Sequence, residues 1–250
     1  MRIKLTLSYD GTNYHGWQVQ PDGETIQSTL QKAIEKIVGE NSIIASGRTD
    51  AGVHAEGQVA LVEFNQEIPL WNFQNGLNSL LPKDIAVINV EEASEQFHPR
   101  FSSTLKHYRY TILNSRVRNV FQQKYCWQIP VVLDVDLMNQ GAQFLLGKHD
   151  FSAFQSSSCC SKDPVKEIFA AQCIQNEEWI FFHIEGSGFL KQMVRTIVGT
   201  LVEVGKKKMK PDFIQELVKS RERKKAGKTA PASGLCLVKV LYSKELKLTC

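Results

Sequence analysis

Ser46-Gly47-Arg48-Thr49-Asp50-Ala51-Gly52-Val53-His54-Ala55-Glu56-Gly57 crowds three glycines, two small alanines, a guanidinium, an imidazole and a central aspartate between two more regular segments. Upstream, Ile26, Leu30, Ala33, Ile34, Ile37 and Val38 recur at helical spacing, with Thr25 as a cap and Gly39 as a stop. Downstream, Gln58 to Phe64 reads as a strand, with Val59, Leu61 and Glu63 on one side and Ala60, Val62 and Phe64 on the other. The stretch is therefore a loop that feeds a strand from a helix. Its glycines permit positive φ or close approach of the backbone to a ligand. Asp50 on such a loop can meet a substrate, with Arg48 as a fixed charge nearby. An aspartate ahead of Ala-Gly is also an ordinary turn or capping residue, and that reading stands beside the chemical one.

The elements around the loop repeat its mixed character. Ile3, Leu5, Leu7 and Tyr9 alternate with polar residues as a half-buried strand. Pro69 opens a second helix carrying Trp71, Leu77, Leu80 and Leu81, and 85–90 is a short strand. A similar order returns: a strand at 105–113, a helix at 136–146, strands at 166–174 and 178–185 turning at Asn176, an amphipathic helix at 188–204, a helix opened by Pro211 and a closing strand at 235–242. Two α+β halves, 1–104 and 105–250, fit this order better than a doubly wound parallel sheet.

Composition is that of an ordinary globular chain, 42% hydrophobic over 250 residues. The formal charge is +4, but residues 1–125 carry 12 Lys and Arg against 13 Asp and Glu, whereas 126–250 carry 18 against 13. Basic surface is expected in the second half, where Lys206-Lys207-Lys208, Lys210, Arg221 to Lys225 and Lys228 are phosphate candidates as well as ordinary solvated faces. No secretory signal is visible and no apolar run approaches the ~18 residues of a membrane span, so the expected location is cytoplasmic. Cysteines 126, 159, 160, 173, 236 and 250 have no Cys-x-x-Cys spacing and read as reduced core or loop residues. His149 and Asp150 lack a third ligand at usable spacing, so no metal is expected. No cofactor fingerprint is visible.

Gly47 to Ala55 resembles the signature of the tRNA pseudouridine synthase A family. Further resemblances run along the chain: the Thr12 to Gln20 segment with Gly16 and Trp17, His149-Asp150-Phe151 with Phe154, Gly186-Ser187-Gly188-Phe189-Leu190-Lys191-Gln192-Met193-Val194-Arg195, and Thr229 to Leu237. Cys236 and Lys166 depart from the pattern. The resemblance implies two pseudo-duplicated ferredoxin-like halves with merged sheets and a cleft between them. It implies Asp50 as the catalytic residue, with Arg195 as its ion-pair partner. It implies that Tyr108 packs on the target uracil, that Leu235 lies in the pocket floor, and that a homodimer binds tRNA at the anticodon arm, positions 38 to 40, without a cofactor. Arg48 is expected to fill the space that a flipped nucleotide vacates. From residues alone, Tyr108 reads as a buried sheet tyrosine and Arg195 as a surface arginine, the usual places of such residues. A silent RNA-binding module and a base-flipping glycosylase are the rival functions.

Overall fold

The computed structural model describes residues 1–157, 159, 161 and 163–243. They divide into two compact units, Met1–Thr104 with 237–243, and Leu105–Cys236. The chain is mixed α+β, with its strands paired mostly antiparallel.

In the first unit, β1 (Arg2–Tyr9), α1 (Ile26–Val38), β2 (Ser42–Ala45), β3 (His54–Glu63), α2 (Leu70–Leu80) and β4 (Ile85–Glu92) follow one another. Strand β1 is central, antiparallel to β3 on one side and β4 on the other, and β2 adds antiparallel to the far end of β3. Helix α1 begins at a capping box: Thr25 Oγ1 accepts from Ser28 N–H, and Ser28 Oγ accepts from Thr25 N–H. Its Ile26, Leu30, Ala33, Ile34 and Val38 are buried, the stripe that the spacing predicts except for Ile37, which is half-buried. In α2 the buried pair is Phe73 and Leu77, while Trp71 is 71% exposed and Leu80 also faces outward. Burial there follows a narrower stripe than apolar content suggests.

The second unit takes in β5 (Ser103–Leu113), β6 (Trp127–Gln128), α3 (Val135–Gln143), β7 (Gly147–Asp150), β8 (Val165–Asn176), β9 (Trp179–Gly186), α4 (Met193–Gly205) and α5 (Phe213–Ser220). Strands β5, β9, β8 and β7 pair antiparallel in that order, and β6 lies parallel to β5. The β8–β9 hairpin turns at Glu177, whose φ of +53° is left-handed, not at Asn176, which still pairs with Trp179. The last strand, β10 (Leu235–Tyr242), starts in this unit and ends in the first, alongside β3. Gly57 of β3 allows that approach: a Cβ there would lie 2.5 Å from the Val238 carbonyl oxygen.

Helix α4 is shorter than its amphipathic pattern. It begins at Met193, because Gln192 is left-handed at φ +62° and stops the helix from extending back to Gly188. Lys191 and Gln192 therefore precede the helix and do not share a helical face with Arg195. Among the described residues no helix is long and apolar enough to cross a membrane, and no group of three His, Cys, Asp or Glu is placed to hold a metal. Cys126 and Cys173 are buried core thiols, and burial pushes Cys173 up to about 12. Cys160, Cys250 and Ser158 of the Ser-rich stretch lie outside the described residues.

Candidate active site

Asp50 stands between β2 and β3 at the start of a tight turn. The Val53 N–H donates to the Asp50 carbonyl at 3.1 Å, and Gly52, third in the turn, has φ +75°. A type II turn demands that sign at that position, and a side chain resists it. The turn and the chemical readings thus coexist: the Asp50 backbone makes the turn, and its side chain is half-buried. Arg48 is exposed two residues earlier. Strand β3 starts at His54, inside the signature, so Asp50 is fixed only four residues from a ladder.

Two glycines upstream clamp the loop by leaving no room beside it. A Cβ at Gly16 (φ +85°) would stand 2.6 Å from the Thr49 carbonyl oxygen and 3.0 Å from the Asp50 carbonyl carbon. One at Gly11 would stand 2.1 Å from the Val53 carbonyl oxygen. Backbone bonds run through this contact: Trp17 N–H donates to Thr49 C=O at 3.1 Å, and Gly52 N–H donates to Tyr14 C=O at 3.3 Å. The Tyr14 phenol donates to Asp84 at 2.6 Å, and burial together with that carboxylate holds the phenol above its ordinary value. The loop's underside is therefore backbone seated on backbone.

Buried side chains complete the support. Gln58 is 0% exposed; its Oε1 accepts from Ser46 Oγ at 2.8 Å and its Nε2 donates to the Gly47 carbonyl at 2.9 Å. Thr49 Oγ1 and the Tyr9 hydroxyl lie 2.9 Å apart, and Gln58 Nε2 also reaches that hydroxyl at 3.4 Å. Each such bond contributes about 1 kcal/mol net, and leaving one partner unsatisfied costs about 1–3 kcal/mol. The Gly11 N–H and Asp10 Oδ1 each lie 3.1 Å from His54 Nδ1. The part that Tyr9, Gly11, Gly16 and Gln58 play in supporting the Asp50 loop escapes the sequence reading. The signal for Gln58 was a lone amide at the head of the apolar run Val59 to Val62.

Tyr108, Arg195 and Leu235 belong to the second unit. Tyr108 sits on β5 with Lys106 and Tyr110 on the buried face, while Arg109 lies on the opposite, half-buried face across from His183. The ring of Tyr108 meets Phe189 edge-on, with centroids 5.2 Å apart. Arg195, in the first turn of α4, is gripped by the segment before β10: its Nε donates to the Ala230 carbonyl at 2.8 Å, and Ala230 N–H donates back to the Arg195 carbonyl at 3.1 Å. The Tyr110 hydroxyl donates to the Pro231 carbonyl at 2.8 Å. Burial raises that phenol, with the positive charge of Arg195 pulling the other way. Gly234 fits against the Tyr110 ring, where a Cβ would be 2.6 Å from ring carbon, and Leu235 follows it, buried. One segment, 230–235, thus holds Arg195 and carries Leu235.

Other candidates are engaged in structure. Asp150 Oδ1 accepts from the Ser152 N–H at 2.9 Å and its Oγ at 2.5 Å, and Asp150 Oδ2 lies 3.1 Å from Arg221 Nε. Burial opposes ionisation of this carboxyl, but the bonds and Arg221 outweigh it and hold it below its usual value. His149 Nε2 meets the Leu146 carbonyl at 2.7 Å. In the lysine clusters, Lys206 and Lys208 pair with Glu203, Lys207 with Asp134 and Lys225 with Glu222. Much of that positive charge is answered locally.

The sequence model of the family described as tRNA pseudouridine synthase matches residues 6–102 and 142–243. Curated relatives named "tRNA pseudouridine synthase A" extend the likeness to nearly the full length. The protein of Syntrophotalea carbinolica is 42% identical over 97% of this chain and 97% of its own. That of Geotalea uraniireducens is 46% identical over 96% and 99%, and that of Myxococcus xanthus 46% over 96% and 92%. A solved chain from a Cbf5-Nop10-Gar1 complex is 12% identical over 80% of this chain and 54% of its own, with a TM-score of 0.33, too distant to carry an argument. With one match spanning the Asp50 loop, α4 and β10 and the others spanning almost every residue, the chain belongs to the tRNA pseudouridine synthase family of isomerases.

Proposed function

We propose that this chain isomerises uridine to pseudouridine in the anticodon stem-loop of tRNA, at positions 38 to 40, with Asp50 as nucleophile and no cofactor. The observation that carries the reading is the intact Gly47 to Ala55 signature in a chain 42–46% identical to curated tRNA pseudouridine synthases A. In the reaction the N1–C1′ bond of the nucleotide breaks, the detached uracil turns, C5 bonds to C1′, the C5 proton leaves to solvent and N1 takes up a proton. Nothing is oxidised or consumed. The turn at Gly52 and the buried Ser46, Thr49 and Gln58 hold the Asp50 backbone in place before substrate arrives, which supports a preorganised carboxylate.

The remaining roles follow the family resemblance residue by residue. Arg195 is the ion-pair partner of Asp50. Tyr108 packs on the uracil and takes part in removing the C5 proton, and Leu235 floors the pocket. Arg48 fills the stack when the target nucleotide flips out, a displacement costing on the order of a few kcal/mol. The joined ferredoxin-like halves, the cleft between them, the homodimer and a cytoplasmic location belong to the same reading.

The test is tritium release from tRNA labelled at uracil C5, followed by mapping of the altered nucleotide. Wild type releases tritium and leaves pseudouridine in the anticodon arm. Asp50→Ala lowers the rate by at least ~10⁴-fold, as loss of a covalent nucleophile does. Binding of tRNA without release by wild type would sink the isomerase reading, and free uracil with an abasic site would point to a glycosylase.

A further inference from the structure

Between β5 and β6 the chain makes an excursion that the family match leaves out. The two strands pair in parallel, Ile112 opposite Trp127 and Leu113 opposite Gln128, so the loop from Asn114 to Cys126 leaves and returns at one place. Its base is fastened. Asn114 Nδ2 donates to the Ile129 and Val131 carbonyls at 2.9 and 2.7 Å, and its Oδ1 accepts from Leu133 N–H at 3.0 Å. Gln128 Nε2 donates to the Ser115 carbonyl at 3.1 Å. At the tip, Asn119 Oδ1 accepts from the Phe121 and Gln122 N–H groups at 3.0 and 3.1 Å. This shaped tip turns large groups outward: Phe121 is 86% exposed and Val117 77%, with Arg116, Arg118 and Lys124 exposed around them.

The charge of this stretch is one-sided. Residues 96–133 contain no Asp or Glu and six Lys or Arg. Unlike Lys206 to Lys208, Arg116 and Arg118 enter none of this unit's ion pairs among the described residues. One carboxylate reaches the loop's base, where Glu178 Oε1 accepts from Ser115 Oγ at 2.8 Å; the exposed cations beside an open aromatic face suit a polyanion that carries stacking bases. A second copy of the same loop suits it poorly, because a two-fold axis sets like charges against each other. The loop also stands on the segment that carries Leu235: Ser233 Oγ donates to the Cys126 carbonyl at 3.2 Å, and Trp127 meets Tyr110 edge-on at 6.4 Å.

We infer that the loop from Asn114 to Cys126 is a second RNA-binding element, stacking an unpaired nucleotide near the target on Phe121 and holding neighbouring phosphates with Arg116 and Arg118. The inference rests on the reading of this chain as a tRNA uridine isomerase with Leu235 beside the base.

The experiment uses the full chain and an unmodified tRNA transcript, with affinity measured across a salt series. Combined Arg116→Ala and Arg118→Ala lowers the slope of log affinity against log salt by about 1.4–1.8, the value of two phosphate contacts. Phe121→Ala weakens binding about tenfold, and Phe121→Tyr restores it. Phe121→p-benzoylphenylalanine cross-links to a nucleotide under ultraviolet light. All these positions are exposed, and an unchanged melting temperature verifies the fold. Wild-type affinity and slope in the variants overturn the inference. So does a cross-link to a second protein chain accompanied by loss of oligomer mass in Phe121→Ala, which would make the loop an interface between copies. Tritium release keeps the two questions apart: no release by wild type defeats the isomerase reading, whereas release with unaltered tRNA binding in the loop variants defeats this inference alone.

Discussion

The Asp50 loop and the Gly186 to Arg195 segment are the two strongest motifs of the sequence, and opposite physics holds them in place. The loop rests on polar groups: Ser46, Thr49 and Gln58 are buried and hydrogen-bonded, and backbone bonds from Tyr14 and Trp17 seat it on Gly16. The arginine segment is fixed by apolar anchors. Leu190, Met193, Val194 and Ile197 are buried, Phe189 meets Tyr108 edge-on, and Gly199 lets α4 reach the Lys228 carbonyl, which a Cβ would approach to 1.7 Å. Directional bonds fix where a short loop puts one carboxylate, while apolar packing fixes where a helix starts. Damage to the first should appear mainly in rate, and damage to the second mainly in stability.

The largest expected effect breaks the apolar side. Met193→Ala removes a fully buried side chain and should cost about 2–5 kcal/mol, read as a lower urea midpoint with an unchanged slope. A rate loss without a stability loss would show that packing is not what anchors Arg195.

Next comes Gly16→Ala, which strains a φ of +85° and pushes a methyl against the Thr49 and Asp50 backbone. A displacement of the loop by about 1 Å should lower kcat about 100-fold, with tRNA affinity near wild type. Filter binding beside tritium release separates the two quantities.

Thr49→Val sharpens the comparison because it keeps the shape and removes the hydroxyl that meets Tyr9 at 2.9 Å. It should cost about 1–3 kcal/mol, and Thr49→Ser should recover most of the rate. A purely structural threonine would lose stability without that recovery in kcat.

The smallest effect belongs to His183, whose Nδ1 lies 2.9 Å from His107 Nε2 on the half-buried face of the second unit's sheet. Burial, then the charge of Arg109, depresses His183 below its ordinary value, with Glu185 opposing. The folded chain therefore binds fewer protons than the unfolded one just below pH ~6.5. This contribution is complete above that pH and is lost as pH falls toward the folded value. His183→Gln should flatten the fall in melting temperature between pH 7 and pH 5, and an unchanged slope would assign the acid sensitivity elsewhere.

The sequence by itself determined the α+β class, the existence of most strands and helices, and the family, because hydrophobic period and a contiguous motif are local properties of the chain. It read α1 with its Thr25 cap and the span of β10 correctly. It misplaced the start of α4, because the left-handed Gln192 interrupts a periodicity that continues through it. It left Lys206 to Lys208 open between phosphate contacts and solvated faces, because Glu203 and Asp134 come beside them only in the folded chain. Only tertiary structure decided that Gly11, Gly16, Tyr9 and Gln58 support the Asp50 loop. Tyr9, Gly11 and Gly16 touch the loop across 33 to 43 residues of chain, Gln58 reaches back 11 and 12 residues to it, and contacts of this kind leave no period to read.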